Sequence, residues 1–130
     1  DGTIDIITSD HKPLEDELKK VEFEYATAGM INWQTAFAAA NTALDGKVSL
    51  ETIIDKLTVR PRQLLNLPQP SISEGTTANL TIFDPDKEWE FLPENNLSKS
   101  GNSPFFGKTL KGRVFGIVNN KKTNLWNTTH

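Results

Sequence analysis

Pro68 and Pro70 mark a change of period that limits what this chain can fold into. Before them, apolar residues recur at helical spacing; after them, short β-rich runs alternate with turn residues. From residue 31 to about 44, Trp33, Phe37, Ala40 and Leu44 form one stripe. Ala36, Ala39 and Ala43 keep the neighbouring surface small. The aromatic pair in that stripe reads as core packing, and Asp45-Gly46 ends the helix. A second helix starts at Ser49, with Glu51 near its positive end and Val48 and Ile53 at the spacing of a hydrophobic staple. Leu50, Ile53, Ile54 and Leu57 supply its buried face. A third, short helix begins around Pro61, which suits a first-turn position. Beyond Pro70, strands are expected at 78–83, 88–91, 113–118 and 124–126. Asp84-Pro85-Asp86 reads as a turn between two of them, and Asn119-Asn120 as the closure of a hairpin.

The densest chemistry lies near the start. Ile4, Ile6, Ile7 and Thr8 form a β-branched run that leads directly into Asp10, His11, Lys12 and Pro13. A period of two puts Ile4, Ile6, Thr8 and Asp10 on one side of a strand. Asp10 then stands just past the strand's C-terminal end, where α/β proteins gather their reacting groups. Lys12 precedes a proline and is biased to extended geometry. A carboxylate in that place can ligate a metal, act as a general base, or do both in turn. It can equally cap a turn, with His11 a surface residue, since Asp and Pro are common turn formers. The charged run over residues 14–22 reads as a solvated loop or a short helical turn. Ala28-Gly29 offers a place where backbone can approach a ligand closely, or a simple turn before the first helix.

Composition excludes several function classes. With 130 residues and 36% apolar content, the chain is one ordinary domain in size, with a modest core. A net charge of −3 without a basic cluster argues against nucleic acid as a partner. Zero cysteines exclude disulfides and thiolate metal sites, and are compatible with the cytosol. No apolar run approaches the roughly 20 residues of a membrane span, and no signal peptide is visible.

An ordered set of motifs resembles the C-terminal part of a dihydroorotase, in the dihydroorotase, allantoinase and dihydropyrimidinase group of the amidohydrolase superfamily. Ser9-Asp10-His11-Lys12-Pro13 is similar to the family's Ser/Thr-Asp-His-x-Pro segment after the last barrel strand. The stretch from Phe23 to Met30, with Ala28-Gly29, resembles its substrate loop, and Trp33-Gln34-Thr35 stands where Leu-Glu-Thr is common. Thr58-Val59-Arg60-Pro61 with Leu64, Leu65 and Leu67 is similar to its Thr-x-x-Pro helix. Ile72, Gly75, Ala78, Asn79, Leu80 and Asp84 resemble the Gly-x-x-Ala-Asp-Leu sandwich motif. Asn102-Ser103-Pro104-Phe105 with Gly107, Leu110, Gly112 and Val114 resembles the family's closing motif.

The resemblance implies an α/β fold: the C-terminal end of a (β/α)8 metal-dependent amidohydrolase barrel plus part of a small β-sandwich. Residues 1–67 would be the last strand and C-terminal helices, and residues 68–130 the sandwich portion. It implies a cytoplasmic enzyme of pyrimidine biosynthesis that interconverts N-carbamoyl-L-aspartate and L-dihydroorotate, a small-molecule substrate, with zinc as cofactor. Asp10 would be the catalytic carboxylate and share a metal. Gly29, Ala28 and Lys12 would bind substrate. A whole barrel needs about 250 residues, so the chain, which begins at Asp1, is expected to be a fragment. The only histidines are His11 and His130, the latter read as a tail; the fragment alone is therefore expected to be inactive and without zinc. A half-sandwich leaves unpaired edges, so self-association into a homo-oligomer is expected. Two positions depart from the pattern. Leu14 stands where many members have a histidine that holds the substrate carboxylate, and Ala28-Gly29 replaces Pro-Gly. They leave open a non-catalytic dihydroorotase-like subunit, or a related enzyme such as allantoinase or dihydropyrimidinase.

Overall fold

A computed structural model describes residues 2–126 of the chain. Helix α2, Leu50–Leu57, starts where the sequence predicts: the Ser49 side chain accepts a hydrogen bond from Thr52 N at 3.3 Å. Its own backbone N–H, followed by the Ser49 hydroxyl, holds the Glu51 carboxyl below its ordinary pKa. Negative charge is favoured there because the first-turn amides point at it. Ile53 is the helix's buried residue, 2% exposed. Helix α3, Val59–Leu64, begins two residues before Pro61. Pro61 still lies in the first turn, where its missing N–H breaks no intrahelical bond.

Helix α1, Ala36–Leu44, is shorter than the 31–44 stripe. The preceding residues are spent on other partners. Ile31 N donates to Asn102 O at 3.0 Å, and Thr35 Oγ1 donates to Asn32 Oδ1 at 2.7 Å. The helix ends as expected, at Asp45 with Gly46 at φ 68°. The aromatic pair divides. Phe37 packs edge-on against Phe83, with ring centroids 4.7 Å apart, whereas Trp33 is 75% exposed and lies outside the core.

Three strands, β1 (Asn79–Phe91), β2 (Lys108–Asn119) and β3 (Lys122–Leu125), form an antiparallel sheet in the order β1-β2-β3. The expected turn at Asp84-Pro85-Asp86 is instead an irregularity inside one long strand, with register shifts between Ile82 and Phe83 and between Asp84 and Glu88. Asp84 Oδ1 accepts from Asp86 N at 2.9 Å and from Lys87 N at 3.2 Å. That side chain builds a local turn, but β2 continues past it on both sides, so the result is a bulge. The hairpin at Asn119-Asn120 forms: Asn119 pairs with Lys122, and Asn120 takes φ 55°, which asparagine tolerates.

The core lies between α1 and the sheet. Ala38, Phe91 and Leu110 are buried there, with Trp89, Phe105 and Phe106 packed around them. Phe91 and Phe106 stack at 4.8 Å. Gly112, at φ 106°, lets α1 approach: a Cβ on it would meet Phe37 Cε1 at 2.8 Å. Buried Asn41 donates to Pro85 O at 2.8 Å and Lys111 O at 3.0 Å, tying α1 to the bulge and to β2. Lys111 Nζ lies 3.1 Å from both Asp45 carboxylate oxygens and 3.3 Å from Asp86 Oδ1. The Asp45 and then the Asp86 hydrogen bond raise its pKa.

Residues 3–8 are not a strand here, contrary to the expectation of a last barrel strand. Ile7 N donates to Lys56 O at 3.0 Å, and Lys56 Nζ donates to Ile4 O. A parallel strand draws its ladder from adjacent strands, and the described residues supply none beside it. Ile4 is correspondingly exposed. The chain is α/β nonetheless, with helices ahead of one antiparallel sheet.

Candidate functional site

The β-branched run delivers Asp10 to an exposed position at φ 44°. Asp is one of the few residues that visit this left-handed region readily. The alternation read from the sequence stops at this turn of the backbone, and the next residues run alongside 29–33. Lys12 N donates to Met30 O at 2.8 Å, and His11 and Met30 form an isolated parallel bridge.

His11 has a defined structural role. Its Nδ1 accepts from Asn32 N at 3.0 Å and from Trp33 N at 3.3 Å. The nitrogen that accepts carries no proton, so the neutral ring is the Nε2–H tautomer. The imidazole also stacks on Trp33, with centroids 4.6 Å apart and planes 19° from parallel. Asn32 returns the contact by donating from Nδ2 to Ser9 O at 3.0 Å. Asp10 is thus bracketed: Ser9 and His11 are both held by Asn32.

Gly29 sits opposite Lys12. Its φ is 141°, and a Cβ there would lie 2.7 Å from Lys12 Cδ. Backbone conformation and space both call for glycine at this position. Ala28 beside it is exposed. The charged run folds as a 3₁₀ turn, Asp16–Leu18, and Lys19 Nζ donates to Thr27 O at 2.8 Å. This holds the far end of the loop that carries Ala28 and Gly29. Phe23, 96% exposed, and Tyr25 project from the same loop.

Asn102 joins both segments from the far end of the chain. Its Nδ2 donates to Lys12 O at 3.0 Å and to Gly29 O at 3.3 Å. Its Oδ1 accepts from Leu14 N at 3.3 Å, and its backbone oxygen accepts from Ile31 N at 3.0 Å. Asn32 and Asn102 are residues that reasoning from sequence did not select. Asn102 was visible only as the first letter of a motif, and Asn32 only as an Asn three residues before a Thr.

Asp10, Lys12, Ala28 and Gly29 therefore come from two neighbouring segments. Among the described residues, no three His, Asp or Glu side chains lie together as a metal site. Asp10 is one carboxylate, and His11 Nδ1 is occupied by backbone amides. These residues alone do not fit a zinc centre, which needs about three protein ligands. His130 lies outside the described residues.

No family model matches the chain. It is 42% identical over 115 residues to dihydroorotase of Syntrophus aciditrophicus, covering 88% of this chain and 27% of that protein. It is 40% identical over 124 residues to dihydroorotase of Clostridium acetobutylicum, covering 94% of this chain and 29% of that one. Among solved structures it resembles a D-hydantoinase (dihydropyrimidinase) from Thermus sp., with a TM-score of 0.80 at 20% identity over 96% of this chain and 29% of the other. That last likeness carries the fold alone. The chain thus spans less than a third of the length of the proteins it matches. The α/β fold class and the resemblance to dihydroorotase are borne out along nearly the whole chain.

Proposed function

We propose that this chain is the C-terminal part of a dihydroorotase, a cytoplasmic, metal-dependent enzyme of pyrimidine biosynthesis that opens and closes the L-dihydroorotate ring. The observation that carries this reading is the 42% identity to a dihydroorotase over 88% of the chain. Residues 1–67 would complete a barrel, and residues 68–130 would be a portion of a β-sandwich. The substrate is a small molecule, with neither nucleic acid nor membrane as partner. No described helix is long and apolar enough to cross a membrane. Among the described residues, the sheet's outer strands, β1 and β3, have one unpaired edge each, which supports pairing with further strands or with another copy in a homo-oligomer.

In this reading Asp10 is the catalytic group. It takes a proton from the water whose oxygen bonds to the ring carbonyl carbon, and gives that proton to the ring nitrogen as the C–N bond breaks. The Gly29 N–H and the Lys12 ammonium, beside Ala28, hold the substrate carboxylate. Their adjacency across the Lys12–Met30 hydrogen bond supports this pairing. Zinc belongs to the reading only as an expectation, since ligands other than Asp10 would come from outside this chain. By itself the chain is expected neither to hydrolyse dihydroorotate nor to bind zinc tightly, which calorimetry and a turnover assay check directly.

The decisive experiment is Asp10→Asn in the longer protein. Removal of a positioned acid–base commonly costs about 10² to 10⁴ in rate; turnover close to that of the unmodified protein would overturn the role of Asp10. Leu14 favours one competing reading, a related cyclic amidohydrolase whose substrate lacks the ring carboxylate. Faster turnover of dihydrouracil or hydantoin than of dihydroorotate would decide for it. Absence of turnover on all three and on allantoin would indicate a non-catalytic subunit.

A further inference from the structure

We propose that Asn102 is a positioning residue that sets the distance between the Asp10–Leu14 segment and the Gly29–Ile31 segment, and through it the affinity for substrate. This rests on the reading of Asp10, Lys12 and Gly29 given above.

One carboxamide faces two strands of backbone. Both hydrogens of Nδ2 are used, one on Lys12 O and one on Gly29 O, and Oδ1 accepts from Leu14 N. Asparagine is suited to this because it offers two donors and an acceptor in one short planar group. Aspartate has no donor, and a hydroxyl has one. The contact with Ile31 N comes from Asn102's own carbonyl, so side chain and backbone grip the two segments together. The Lys12 N to Met30 O bond and the bonds of Asn32 with Ser9 and His11 also join the two segments. The bonds from Asn102 add ties to the same two segments from the far end of the chain.

The clamp is anchored. Phe105 N donates to Ser103 Oγ at 3.2 Å, and Phe105 and Phe106 pack against the Ala38, Phe91 and Leu110 core. The buried core therefore holds the loop of residues 101–106, and Asn102 carries that rigidity to the exposed segments. The residues it joins lie 88 and 90 positions away in sequence at Leu14 and Lys12. No local preference could keep them together.

The test uses the longer protein with Asn102→Ala, beside Asn41→Ala, which removes two bonds of the same kind at Pro85 and Lys111. For Asn102→Ala, KM for dihydroorotate should rise about tenfold with kcat little changed, as expected from losing two or three hydrogen bonds that order the binding segments. Asn41→Ala should lower stability and leave KM unchanged. An unaltered KM in Asn102→Ala, or an equal rise in Asn41→Ala, overturns the proposal. Amide hydrogen exchange separates its failure from failure of the dihydroorotase reading. If the unmodified protein does not turn over dihydroorotate, joint acceleration of exchange at Lys12, Leu14 and Ile31 by about tenfold in Asn102→Ala alone upholds the clamp. Unchanged exchange at those amides rejects it. If Asn102→Ala does not fold, Asn102→Ser, whose side chain is too short to reach both segments, is read by the same measurements.

Discussion

The sheet with α1 and the segment before α1 are built on opposite terms. In the first, β1 and β2 pair over nearly their whole length, α1 closes onto Gly112, and Asn41 satisfies carbonyls of both strands. In the second, residues 3–8 have no neighbouring strand among the described residues, and Ile4, Phe23 and Tyr25 stand in solvent. The candidate site lies in the second region and is steadied by the first through Asn102. A chain can thus carry candidate site residues on a poorly buttressed segment while a well-packed one reaches across to it.

If that contrast is right, substitutions in the two regions should separate stability from activity. The largest loss of stability is expected for Phe91→Ala. Phe91 is 1% exposed at the centre of the core, and such truncations cost about 3–5 kcal/mol. Urea unfolding would show it as a lower midpoint, and a change within error would mean that the α1–sheet interface is not the core. Gly112→Ala comes next. Its Cβ would collide with Phe37, and its φ of 106° disfavours any side chain; overpacking of this kind costs roughly 1–3 kcal/mol. Gly29→Ala should behave differently. Its Cβ would meet the Lys12 stem and its φ of 141° also disfavours a side chain, so substrate affinity should fall together with the unfolding midpoint.

Smaller effects sharpen the same contrast. Ser49→Ala removes the α2 cap and should cost about 1 kcal/mol by thermal unfolding. Asp10→Asn, at an exposed left-handed position that asparagine also accepts, should change stability by less than about 0.5 kcal/mol. The smallest effect belongs to Lys111. Its pKa is raised by Asp45 and Asp86, so its contribution is fully present below the unfolded lysine pKa and lost as pH rises through the folded value. Lys111→Met should remove that small contribution at neutral pH and flatten the alkaline limb of a stability–pH profile by the same amount. A pronounced loss at neutral pH would show that these exposed ion pairs matter more than such pairs usually do.

Where a feature depends on residues within a few positions of one another, the sequence alone determined it. The Ser49 cap, the Gly46 stop and the left-handed Asn120 turn each follow from one side chain acting on its own neighbourhood. The order of helices and sheet was legible for the same reason, because amphipathic period is a local property. Tertiary structure decided the rest. Asp84-Pro85-Asp86 has every local sign of a turn, yet β2 pairs on both sides of it and makes it a bulge. Residues 3–8 have every local sign of a strand, yet a strand needs a neighbour to form a ladder. Trp33 belongs to an apolar stripe but stacks on His11, because Asn32 and Thr35 end the helical pattern before it reaches the tryptophan. The candidate site follows this division. Asp10 could be singled out by its place after a β-branched run, whereas His11's hold on the Asn32 and Trp33 amides and Asn102's grip on both segments join residues 21 to 90 positions apart. Only the folded backbone brings such donors and acceptors within 3 Å or so.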